Sequence, residues 1–118
     1  MAYDENLAQR VREITIAEAA MTERKMFGGL AFMLWGHMVC GIVGEELMLR
    51  LGPDGADAAL RRAHVRPMDF TGRSMTGIVF VAPAGQKGAA LHSWIAKAIA
   101  FVDTLPPKRG KQRTDAIR

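Results

Sequence analysis

Between Lys25 and Glu45 the chain runs for nineteen residues, Met26 to Gly44, without a formal charge. About 20 apolar residues would be enough to cross a membrane as a helix, so this stretch decides the class of the protein. Its five glycines (28, 29, 36, 41 and 44) and the break Trp35-Gly36-His37 argue against a helix, because glycine weakens helix interiors and punctuates strands and turns. The stretch reads instead as two strands and a turn.

Met26–Trp35 and Met38–Val43 are these strands, separated by Gly36-His37, and Leu47–Leu51 follows beyond Gly44-Glu45-Glu46 as a third. Loops this short join antiparallel neighbours. Alternation along the first strand puts Phe27, Gly29, Ala31, Met33 and Trp35 on one face, and Met26, Gly28, Leu30, Phe32 and Leu34 on the other. Both faces are apolar. A small antiparallel sheet with helices on one side normally leaves its other side wet. The second face of this strand therefore calls for a cover, and a second copy of the chain would supply it. A homodimer is expected, with Phe27, Gly28, Gly29, Met33 and Trp35 at its interface.

Helical patterns flank the strands. Asp4 is placed as an N-cap, and Leu7, Val11, Ile14, Ala17 and Met21 form one apolar stripe on a helix expected to last about five turns. Arg10, Arg12, Glu13 and Glu18 then turn mostly to water. Gly52-Pro53-Asp54 opens a second helix that carries Ala56, Ala59 and Leu60 and ends near Arg61-Arg62. Val65–Phe70 contains Pro67, so at most it is a short edge strand. Gly72-Arg73-Ser74 reads as a turn, and Gly77–Ala82 as a strand stopped by Pro83. The strongest amphipathic pattern is Ala89–Leu105, with Leu91, Trp94, Ile95, Ala98, Phe101, Val102 and Leu105 in register before Pro106. The order α-β-β-β-α-β(-β)-α defines an α+β domain with an antiparallel sheet packed with helices.

Charge divides the chain at its end. Of sixteen Lys and Arg, five (Lys108, Arg109, Lys111, Arg113 and Arg118) lie in the last eleven residues beside a single acid, Asp115. Residues 1–107 keep eleven basic and eleven acidic side chains, so the expected domain is formally neutral. Residues 108–118 have one sizeable apolar side chain, Ile117, too little buried surface to offset ordering. A disordered basic tail is expected there. Lys108, Arg109, Lys111 and Arg113 are its candidate phosphate contacts, giving weak non-specific nucleic-acid binding through charge alone.

The single cysteine, Cys40, excludes an internal disulfide, and the acidic start Met-Ala-Tyr-Asp-Glu lacks the features of a secretion signal. A cytoplasmic location is expected, without membrane contact. Three readings of chemistry weaken on inspection. Gly28-Gly29 leads into a strand rather than a helix, so close backbone approach explains it better than a phosphate loop. His37 and Cys40, three apart in a strand, point to opposite faces and supply no zinc set. Cys40 lies among Val39, Gly41 and Ile42, as a small buried hydrophobe does. Asp69, between Met68 and Phe70, can pair with Arg50 or Arg73. These three form the one candidate polar cluster for a small ligand, although a structural ion pair is the commoner use. Met26, Met33, Met38 and Met48 serve either core packing or an adaptable apolar surface. No catalytic residues, cofactor or metal are expected.

Lys25-Met26-Phe27-Gly28-Gly29-Leu30-Ala31-Phe32, with Gly36, Met38, Gly41 and Gly44, resembles the N-terminal domain of the TfoX (Sxy) family. The likeness continues through Leu47-Met48-Leu49-Arg50-Leu51-Gly52, Arg66-Pro67-Met68-Asp69-Phe70 and Arg73-Ser74-Met75-Thr76-Gly77. It also takes in the late helix with Trp94 and Leu105-Pro106-Pro107-Lys108, roughly residues 4–108 in all. The resemblance implies a fold of helix, three strands, helix, two strands, helix. It also implies kinship with regulators of natural competence that promote transcription of DNA-uptake genes. Those regulators carry a second, helical domain, whereas this sequence ends in the basic tail. The resemblance brings no catalytic residues. The expectation is a non-enzymatic regulatory or protein-interaction domain. Nucleic-acid binding through the tail and small-ligand binding are its alternatives.

Overall fold

A computed structural model of the chain describes residues 3–26, 28–70 and 73–106, with the side chains of residues 69, 70 and 73–76 excepted. The elements run α1 (Glu5–Thr15), β1 (Thr22–Met26), β2 (Gly29–Leu34), β3 (His37–Val43), β4 (Glu46–Arg50), α2 (Gly52–Ala59), β5 (Val65–Phe70), β6 (Arg73–Val81), a 3-10 turn (Pro83–Gly85) and α3 (Ala89–Val102). Six strands form one antiparallel sheet in the order β1-β2-β3-β4-β6-β5. This is the α+β architecture expected. No helix among the described residues is long and apolar enough to cross a membrane.

All three helices lie on one face of the sheet. Leu7 and Val11 of α1, Ala56 and Ala59 of α2, and Leu91, Trp94, Ile95, Ala98 and Val102 of α3 share one core with the strands. Register sorts the strand side chains into rows. One row, Leu30–Ile42–Leu47–Val81, faces the helices and is fully buried apart from traces. In β3 the register shifts opposite Phe32 and Met33, so neighbouring Val39 and Cys40 both reach the helix-side core. A bulge of this kind breaks strict alternation.

The next row crosses the opposite face: Arg24–Ala31–Gly41–Met48–Phe80–Arg66. Among the described residues no helix covers it, yet Ala31, Met48 and Phe80 are at most 2% exposed. The chain closes much of this face with its own side chains. Met48 lies across Gly41, its Cε 2.9 Å from where a Cβ would stand, and packs with Met68 and Phe80. The Arg66 guanidinium stacks on the Phe80 ring at 4.5 Å and bonds to Glu46, Nε to Oε2 at 3.1 Å. Met38, Val43 and Ile78 fringe this second cluster, half-buried.

Three local expectations are corrected. α1 ends at Thr15 instead of continuing to Met21. Asp4 caps it, accepting from Asn6 N and Leu7 N at 2.9 and 3.2 Å. At the other end Thr15 bonds back to Val11 O at 3.0 Å, the chain turns, and Ile16 is left 83% exposed. The stripe broke because the following residues are needed for β1. That strand, Thr-Glu-Arg-Lys-Met, has four exposed residues and no apolar alternation, so its sequence hides it. It is an edge strand of the kind charges keep from aggregating. The apolar run therefore starts as the end of β1, and its strand proper is only Gly29–Leu34.

The second correction concerns Gly36-His37. The two-residue connection is Trp35-Gly36, with φ of +57° and +83°, the double left-handed pair of a tight hairpin turn, and His37 already pairs with Leu34. The third concerns β6, which extends to Arg73 beyond the expected start at Gly77. The turn expected at Gly72 falls outside the described residues, but Arg73 itself opens the strand.

Candidate functional site

α2 is a two-turn helix of small residues, and its seating depends on glycine. Gly52 has φ +78°, and a Cβ there would stand 2.4 Å from Phe101 Cε1. Only a residue without a side chain lets the helix begin this close to α3. Leu51 N donates to Gly77 O at 2.8 Å, which ties the start of α2 to β6. Beyond α2 the chain winds through one more turn, with Arg62 N bonded to Ala59 O at 2.9 Å. That turn swings Arg62 onto α3, its guanidinium 4.8 Å from the centroid of the Trp94 ring. Trp94 is fixed from the other side, since its Nε1 donates to Gly85 O at 3.1 Å.

Between α2 and α3 these contacts leave a groove of about 290 Å³, lined by Leu51, Gly55, Ala58, Ala59, Arg62, Trp94 and Lys97. Its floor is apolar. Both charged lining residues are cations, and among the described residues neither is ion-paired to a carboxylate: Lys97 Nζ donates to Ser93 Oγ at 3.2 Å, and Arg62 stacks on the indole. One further polar contact lies near the end of α3. Arg50 reaches toward the Phe101 ring (5.9 Å) and toward His37 Nδ1 (3.4 Å), while His37 Nε2 donates to Pro106 O at 2.7 Å. A second depression of about 370 Å³, between α1 and α3, has mixed charge: Arg10, Glu13 and His92 line it with Ile14, Gly88 and Leu91. Arg10 is committed there to Gln86 O at 2.7 Å.

The sequence-derived candidates are dispersed. Phe27 lies outside the described residues. Gly28 is exposed in the turn before β2, and Gly29 is a close-approach position, where a Cβ would fall 2.1 Å from Ile42 O. Met33 is half-buried opposite Thr22 and Met38. Trp35, rotated by the hairpin turn, packs against the helix-side core. Arg50 pairs in the ladder with Ile78, while Asp69 and Arg73 pair with Ser74 and Phe70 beyond an irregularity in β5 and β6. The side chains of Asp69 and Arg73 lie outside the described ones, as do Lys108, Arg109, Lys111 and Arg113 altogether. Cys40 is fully buried, and burial pushes its thiol up to about 12, far from nucleophilic use. Arg62, Trp94 and Lys97 were missed as a site. Their only sequence signal is spacing: Gly55, Ala58, Ala59 and Arg62 share one helical face, and Trp94 and Lys97 another.

The sheet, with three helices on one face and its own methionines closing part of the other, defines an α+β domain with one cation-edged groove between α2 and α3. Comparison with known proteins places it further. The family model of the TfoX N-terminal domain matches residues 15–102, most of the chain, and the chain belongs to that family. No curated protein and no solved structure matches it significantly.

Proposed function

We propose that the chain is a non-enzymatic, cytoplasmic regulatory domain that acts by binding other proteins, in transcriptional control of DNA uptake or a related process. Membership of the TfoX N-terminal domain family over residues 15–102 carries this reading. The use of polar side chains supports it. Asp4, Thr15, Gln86 and Trp94 spend their hydrogen bonds on backbone groups, which is the work of a scaffold. The test is genetic. Deleting the gene in its host should lower transcripts of DNA-uptake genes, and re-expression should restore them. Unchanged transcripts under conditions that induce uptake would refute the role.

A homodimer is the second reading, favoured by the half-buried fringe Met33, Met38 and Val43 on the helix-free face. Methionine side chains repack easily at such surfaces. Sedimentation should give a dimer at tens of micromolar that Met33→Glu turns into a monomer. A wild-type monomer at that concentration rules it out.

A further inference from the structure

We propose that the groove between α2 and α3 is a binding site for a small amphipathic organic anion, a carboxylate carried on an apolar body. The proposal does not depend on the regulatory reading above. Three observations converge on it. The floor and the α2 wall are apolar and shallow, because Gly55, Ala58 and Ala59 carry at most a methyl group. The indole of Trp94 forms part of the opposite wall and is held still by its bond to Gly85 O. Both charges at the groove are positive, with no carboxylate among the described residues neutralising them.

Charge complementarity selects the occupant. A cation on an aromatic face keeps most of its charge available, and a guanidinium presents further donors to a carboxylate in a bidentate fork. Arg62 stacked on Trp94 is therefore poised to hold a carboxylate at the groove mouth while the indole meets the apolar body. Lys97, on the same helix as Trp94, adds a second donor from the α3 side, its ammonium resting among the described residues on the Ser93 hydroxyl. Size favours a small molecule over a docked helix. α2 has eight residues, so the wall is about 12 Å long at 1.5 Å per residue. That length suits a ligand of one ring and a short chain.

The test is an amide-shift titration of the intact protein with 4-phenylbutyrate, run in parallel with its neutral amide. The acid should give saturable shifts confined to Gly55, Ala58, Lys97 and the Trp94 indole N–H. The amide should bind about tenfold more weakly or worse, since it lacks the charge. Arg62→Glu and Lys97→Glu, both at exposed positions, should each cost about tenfold in affinity. Arg24→Glu, on the distant β1 edge, should change nothing. Ala58→Phe, filling an exposed groove position, should block the acid while leaving the rest of the spectrum intact. Equal binding of acid and amide, no saturable shift, or indifference to both charge reversals would overturn the proposal. So would shifts that follow protein concentration instead of ligand, which would make a second copy the occupant. An acidic peptide binding the same residues far more tightly than phenylbutyrate would likewise overturn it in favour of a protein segment.

Discussion

Gly52→Ala tests how α2 is seated, and with it the groove. Two costs are expected. A left-handed backbone at φ +78° costs an alanine about 1–2 kcal/mol. The new methyl would also stand 2.4 and 2.6 Å from Cε1 and Cδ1 of Phe101, so the ring or the helix must move. Overpacking of this sort adds about 1–3 kcal/mol. Against this, alanine loses less entropy on folding, a gain of about 0.4–1 kcal/mol. The net loss is about 2–4 kcal/mol, or roughly 8–16 °C in Tm for a domain of this size. Gly28→Ala is the internal control. Its φ is +72°, but a Cβ there meets nothing within 4 Å, so it should lose only about 0.5–1 kcal/mol. Phe101→Leu in the Gly52→Ala background removes the atoms that clash. The double-mutant cycle should therefore show a coupling of about 1–2 kcal/mol in the rescuing direction. Urea unfolding followed by tryptophan fluorescence measures the wild type and all four variants. If Gly52→Ala costs no more than Gly28→Ala, or adds simply to Phe101→Leu, the packing argument is wrong.

Other expectations follow from single contacts. Glu23 is held below its ordinary value of 4.5, chiefly by the hydrogen bonds from Arg12 at 2.6 and 2.9 Å. Its contribution is present above that value and lost as pH falls through the lower, folded-state one. Both side chains are over a third exposed, so Glu23→Gln should cost only about 0.5 kcal/mol at pH 7, and the difference should vanish in strong acid. A difference that persists unchanged into acid would contradict this. Gln86 is buried and donates to Glu45 O and Val81 O at 3.0 and 2.9 Å. Gln86→Met keeps its bulk but removes the donor from both carbonyls, for a loss of about 1–3 kcal/mol by thermal melts; a near-neutral result would mean water replaces the amide. Cys40, fully buried with its thiol pushed up to about 12, should react with thiol reagents only at the rate of global unfolding. Stoichiometric labelling within minutes under native conditions would show that β3 opens locally.

What the sequence reveals depends on how much of each element is buried. α3 buries five side chains at helical spacing, and its expected range differs from the observed one only by the last turn. β3 and β4 have no exposed residue, each being buried at its centre and half-buried at its ends, and are recognisable as apolar runs between glycines. β1 was unreadable for the opposite reason, since an exposed edge strand is free to carry Thr, Glu, Arg and Lys. Missing it lengthened α1 by assigning Ala17 and Met21 to its stripe, and lengthened the next strand by assigning it Met26. One polar strand thus produced errors on both sides. Two apolar faces on β2 are legible in the sequence, and a second copy of the chain is the cover expected for the face without helices. On the helix-free face Met48 lies across Gly41 of the neighbouring strand, while Met68, Phe80 and the Arg66–Glu46 pair close the part over β4, β6 and β5.

The groove was hidden by averaging. Residues 1–107 carry equal numbers of acids and bases, so the domain reads as formally neutral. Neutrality of a sum says nothing about where its members lie. Glu23 neutralises Arg12, and Glu46 neutralises Arg66, each at a place fixed by strand pairing or helix docking. Arg62 and Lys97 are separated by a whole hairpin and most of a helix, and read individually each is an ordinary surface cation. The antiparallel ladder of β4, β6 and β5 brings α2 back beside α3, and only then do the two cations share one apolar depression over Trp94. If the groove binds an anion, that affinity comes from topology acting on residues of no individual distinction. The charge-reversal pair Arg62→Glu and Lys97→Glu separates this from a general attraction to basic protein, because Arg24→Glu changes net charge equally and should leave binding untouched.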